Sequence, residues 1–247
     1  MFRAGRGHCP IGMNRSFGFI ATCAILSGCS SSADVLYVGA PPPPPFDAVC
    51  SPDAAIQNDD PAGGKFFVDS VPNSPTFVHD LTRQVCGLLY REPSEVPEVA
   101  KVTIALQVLT IDSYVNGTTA YFNTLFIQNY LTTHSASDTR YELFGILVHY
   151  LSHMYQHTQA PIEVISGIND FVRYRTGYLR LTIRQKGGMW TDGFHTTGFF
   201  FDYIERQSPG FIYKLNQRIA TAYDVSIFQT LTGKDVLTLW NEYQASL

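Results

Sequence analysis

From Lys101 to Ile111 and again from Ala120 to Ile127 the chain is rich in apolar and β-branched residues at strand length, whereas from Thr139 onward its apolar positions recur at helical spacing. That single change of period confines the fold. A sheet followed by helices is the pattern of an α+β domain, not of an alternating βαβ protein. Asn116-Gly117 lies between the two apolar segments and predicts a hairpin joining them. Upstream, Val78 to Tyr90 reads as a helix with Val78, Leu81, Val85, Leu88 and Leu89 on its apolar face.

Thr139-Arg140-Tyr141-Glu142 has the form of a capping box and predicts a helix with Leu143, Leu147, Leu151 and Met154 facing the core. Pro161 suits the first turn of a second helix, whose inward residues are Ile162, Ile165, Ile168 and Val172. After a loop at Gly187-Gly188, helices are expected near Thr197–Arg206, Pro209–Ala222 and Lys234–Gln244, with Trp190 and Trp240 contributing to packing. There is no internal repeat.

The first part of the chain reads as a targeting segment. Residues 1–12 have no periodicity, and Met13, a candidate start, opens a short polar stretch with Arg15 before an apolar run from Phe17 to Leu26. That run is far shorter than the roughly 20 residues needed to cross a bilayer as a helix. Leu26-Ser27-Gly28-Cys29 fits a bacterial lipobox, with cleavage before an acylated Cys29; a plain signal cut near Ala33 is the alternative. Residues 1–28 are thus expected to be a signal segment. Residues 29–64, with Ser30-Ser31-Ser32 and the prolines Pro41 to Pro45, form a tether, and residues 65–247 form one packed domain. The expected location is the cell envelope, with a lipid anchor in the membrane, or outside the cell.

The chain's formal net charge is −4, and removal of residues 1–28 takes away Arg3, Arg6 and Arg15 and no acid. With no basic run, nucleic-acid binding is not expected. Cys50 and Cys86 are the two cysteines left beside Cys29 after processing, and in an oxidising compartment they are either a disulfide or two buried thiols.

The chemistry-bearing constellation is His149, His153, Ser166 and Asp170. His149, His153 and His157 recur every four residues on the helix predicted from Thr139 and should project on one side of it, opposite the leucines. Two imidazoles one turn apart can share a metal, but the same spacing serves ordinary polar-face or core histidines, so it does not by itself establish a metal site.

The stretch from Gly145 to Leu247 resembles the plant basic secretory protein family, which has bacterial and fungal members and is held to be a family of zinc metallopeptidases. VHYLSHMYQH corresponds to a pattern HExxHxxQ, and VISGINDFVRYRTGY to IEGIADYVRLKAGY. MWTDGFHTTGFFFDYIE corresponds to a W-x-x-GY stretch leading into a helix, and GKDVLTLWNEYQ lies near the C-terminus. The resemblance implies a zincin-like fold: a small twisted sheet, an active-site helix bearing His149 and His153, and a helical C-terminal part. By analogy with thermolysin-like zincins it also implies His149 and His153 as zinc ligands, a third ligand at position 166, and Asp170 holding His149 from behind.

Three positions depart from that pattern. The general base is replaced by Tyr150, whose phenol ordinarily titrates near about 10. The third ligand is replaced by the neutral Ser166, and the oxyanion donor by Phe194, which has no hydroxyl. The resemblance therefore implies a degenerate bacterial-type member in which zinc binding is weak at best. His195 or Glu163 would be the residue to complete an unorthodox site. The leading expectation is a catalytically inactive homologue that binds a polypeptide or another envelope component in the old cleft, along the strand from Ala120 to Ile127. The alternatives are an active zinc metallopeptidase with unorthodox ligands and a structural envelope protein whose cleft has filled in.

Overall fold

A computed structural model describes residues 44–247 except Pro72. The expected signal segment, Cys29 and residues 30–43 of the expected tether lie outside the described residues. The described part is α+β, with four strands and nine α-helices among the described residues. Strand β1 (Asp53–Asn58) leads through α1 (Lys65–Ser70) and α2 (Ser74–Leu89) to β2 (Lys101–Gln107). The two strands are parallel, with Ile56 opposite Ile104, and a crossover of this kind is what parallel pairing requires. Then follow β3 (Ser113–Asn116), β4 (Thr119–Asn123) and α3 (Thr124–Thr133).

The sheet order is β1-β2-β4-β3, with β2 and β4 parallel and β3 and β4 antiparallel. Val102, Ile104 and Leu106 of β2, with Ala120 and Phe122 of β4, are buried at alternate positions, so the inner face follows the period of two. The expected hairpin forms at Asn116-Gly117, where Gly117 takes φ +56°. Its first strand is β3, however, not the Lys101 segment, whose apolar richness reflects burial in a parallel pair. The expected second strand is also shorter than 120–127: it ends at Asn123, whose side chain accepts from the Leu125 N–H and caps α3.

The packed domain reaches into residues expected to form the tether. Phe46 and Cys50 are buried, β1 belongs to the sheet, and Cys50 is disulfide-bonded to Cys86 of α2. The domain therefore begins well before residue 65. The segment Asp53–Asn58 carries too few large apolar residues to announce a strand and is placed by pairing with β2.

Five helices complete the domain after α4 (Ala136–Tyr155): α5 (Ile162–Arg175), α6 (Phe194–Gln207), α7 (Phe211–Arg218), α8 (Ile227–Thr232) and α9 (Val236–Ala245). Helix α4 starts earlier than Thr139, because Ser135 accepts from the Asp138 N–H at 3.0 Å and caps it. Leu143, Leu147 and Leu151 face the core as expected from their spacing. Helices α5 and α6 approach at two glycines: a Cβ on Gly167 would sit 2.4 Å from Thr197 Cγ2, and one on Gly198 2.9 Å from the backbone of Asp170 and Phe171. This close crossing brings the N-terminus of α6 to the buried side of α5. Trp190 packs on Phe228 and Trp240 on Phe200. No helix among the described residues is long and apolar enough to cross a membrane.

Candidate functional site

His149 and His153 lie one turn apart on α4, their ring centroids 5.0 Å apart. The His149 Nδ1–H donates to Asp170 Oδ1 of α5 at 2.7 Å, and both residues are buried. This bond fixes the orientation of the His149 ring, with Nδ1 turned to the carboxylate. Burial, and after it the neighbouring His149, push His153 down to about 3, so it is neutral at physiological pH. Gln156 Nε2 lies 3.5 Å from His153 Nδ1 and 3.4 Å from the Ile165 carbonyl, bridging α4 to α5.

His157 does not join the row. Helix α4 ends at Tyr155, Gln156 is extended, and the His157 N–H donates to Asn216 Oδ1 while its ring meets Tyr90.

Tyr150 follows His149 on the helix and turns to the sheet. Its hydroxyl donates to Ser113 Oγ of β3 at 2.8 Å, and its ring meets Phe122. Burial raises its pKa above the ordinary phenol value, so it holds its proton at neutral pH and is no general base. Nothing in the sequence singled out Ser113, a small residue of a short strand.

Ser166 is buried and fully engaged. Its Oγ accepts from the Phe194 N–H at 3.1 Å and donates to the Glu163 carbonyl at 3.4 Å. Phe194, the first residue of α6, has φ +43° and is the one non-glycine with positive φ among the described residues. Gly193 before it has φ +74°, and the Gly193 N–H donates to Thr197 Oγ1. In this conformation the Phe194 ring stacks on His149 at 5.8 Å with an interplanar angle of 20°. The position that would donate to an oxyanion therefore lays an aromatic ring on the first histidine.

Neither residue proposed to complete a metal site joins the pair. His195 is exposed and lines a cavity of about 310 Å³ with Tyr130, Tyr141, Arg173 and Ile183. Glu163 lies on the first turn of α5 beside Gly193. Among the described residues no group of three or more His, Cys, Asp or Glu could hold a metal ion. A zinc ion held by three protein ligands does not fit this donor set, since His149 and His153 supply two nitrogens and the Ser166 hydroxyl is committed to the backbone.

The cleft edge also differs from expectation. Strand β4 is interior, paired with β2 on one side and β3 on the other, so no further strand can pair along 120–127. The sheet edge beside Tyr150 is β3, whose second side pairs with no strand among the described residues.

A family model described as peptidase of plants and bacteria matches residues 53–243, from the first residue of β1 into α9. No curated protein and no solved structure matches the chain.

Proposed function

The chain belongs to the basic secretory protein family of plant and bacterial peptidases, and from that premise we propose that it is a catalytically silent member that holds a polypeptide in the family's cleft without cutting it. The observation that carries this reading is the Ser166 hydroxyl accepting from the Phe194 N–H: the residue at the third-ligand position is an anchor for the turn above His149. Tyr150, protonated and bonded to Ser113, supplies no base, and Phe194 supplies no oxyanion donor. In this reading the arrangement is zincin-like, with α4 as the former active-site helix and β3 as the strand along which an extended segment lies.

The chain is further proposed to be exported and anchored at the cell envelope through an acylated Cys29. Mass spectrometry of the mature N-terminus tests this, an unmodified terminus near Ala33 being the contrary result. The binding reading is tested by adding a fluorescein-labelled unstructured casein fragment to the mature chain. Raised anisotropy with the fragment intact by mass spectrometry supports it, and fragment shortening or no binding opposes it.

A further inference from the structure

The hydroxyl that accepts from the Phe194 N–H also donates to the Glu163 carbonyl. Ser166 Oγ bonds the Glu163 carbonyl and the Phe194 N–H, so a carboxylate-bearing residue and an aromatic residue flank one anchor. A Cβ on Gly193 would lie 3.6 and 3.7 Å from Glu163 Cα and Cβ, which sets the Gly193-Phe194 turn directly on the first turn of α5. The Phe194 ring packs on His149, yet the residue remains 57% exposed, an unusual exposure for a phenylalanine held in a strained backbone conformation. Glu163 is half-buried and makes no ion pair among the described residues. Beside it, the Tyr223 hydroxyl is buried without a partner among the described residues, and the Glu163 charge is near enough to oppose its ionisation.

We infer that Glu163 and Phe194, whose backbones Ser166 ties to one turn, together recognise a cationic side chain, guanidinium or ammonium, of a polypeptide lying in the cleft. The inference rests on the polypeptide-binding reading above. An aromatic face attracts a cation through its quadrupole, and the adjacent carboxylate supplies the counter-charge. An anionic side chain would meet Glu163 with like charge. A neutral apolar one would cover that carboxylate without pairing it, which costs free energy. Arginine suits the site better than lysine, because its planar guanidinium can stack on the ring and still bond the carboxylate.

The test uses the amide NMR spectrum of the mature chain with acetyl-capped, amidated Val/Thr/Ser nonapeptides carrying a central Arg, Lys, norleucine or Glu, and with acetyl-arginine amide alone. The Arg and Lys peptides are expected to shift the Glu163 and Phe194 amides and to bind roughly tenfold tighter than the norleucine peptide, the Glu peptide binding weakest. Glu163→Gln, isosteric and on an accessible helix turn, should erase the preference, and Phe194→Leu should reduce it. Equal binding of the Arg and norleucine peptides, or a preference that survives Glu163→Gln, overturns the inference while leaving polypeptide binding in place. Acetyl-arginine amide shifting these amides when no nonapeptide binds would uphold the cation site and sink the polypeptide reading.

Discussion

The Phe194 N–H donates to Ser166 Oγ across 3.1 Å, and this bond holds Phe194 at φ +43° with its ring on His149. Ser166 of α5 thereby fastens the first turn of α6 to α5. Ser166→Ala should strand a half-buried N–H at a strained residue and cost about 1–3 kcal/mol. Ser166→Thr, which keeps the hydroxyl, should retain the ring-current shift of Phe194 on the His149 imidazole protons, whereas Ser166→Ala should lose it.

Restoring the family's residues one at a time should recover no turnover, because base, ligand and oxyanion donor act as a unit. Ser166→Glu with Tyr150→Glu and Phe194→Tyr is the smallest set that returns all three. Each replaces a group with a structural duty: Tyr150 loses its bond to Ser113 and Phe194 its stack on His149. Zinc content after dialysis and cleavage of a quenched peptide, measured on the singles and the triple, should rise together only in the triple.

The α4 face and most of the α5 face were legible because helical spacing records which side is buried: Leu143, Leu147, Leu151, Ile165, Ile168 and Val172 are buried, but Ile162, at the first position of α5, is exposed. The motif resemblance singled out His149, His153, Ser166 and Asp170. Strand β1 was not legible, since Asp53–Asn58 owes its conformation to β2 and not to its own residues. His157 misled because the fourfold spacing continues past the point where the helix stops. The engagement of Ser166 was hidden because its partner is a backbone N–H, which no side-chain pattern reports. Gly193 marks the turn, but the positive φ of Phe194 has no signature in a residue of that type.

His153 makes stability depend on acid. Its folded value is pushed down to about 3 from an ordinary 6.5, so between these values the unfolded chain binds the proton and the folded chain does not. Stability from this residue is therefore fully present above about pH 6.5 and falls by roughly 1.4 kcal/mol per pH unit as pH drops toward about 3. Denaturant midpoints of wild type and His153→Gln between pH 4 and 7 should diverge in slope, the variant being less sensitive to acid.

The Cys50–Cys86 disulfide closes a loop with a sequence separation of 36 and ties the residues ahead of β1 to α2. The chain-entropy account gives about 3–4 kcal/mol for such a loop. Reduction, or Cys50→Ser with Cys86→Ser, should lower the thermal midpoint accordingly while leaving the His149–Asp170 bond intact, as followed by the His149 Nδ1 proton.

Gly167→Ala should destabilise by about 1–3 kcal/mol, because its methyl would meet Thr197 Cγ2 at 2.4 Å. Thr197 also bonds Gly193 and the Trp190 carbonyl, so the variant should disturb the turn that carries Phe194. Denaturant unfolding measures the first effect and the Phe194 ring-current shift the second.

Whether the proposed cleft binds without cutting is decided by a peptidase assay of the wild-type chain. A quenched peptide library is incubated with the chain and added zinc, with and without chelator. No hydrolysis above buffer is expected in either arm; chelator-sensitive hydrolysis that disappears in His149→Ala would show instead an active peptidase.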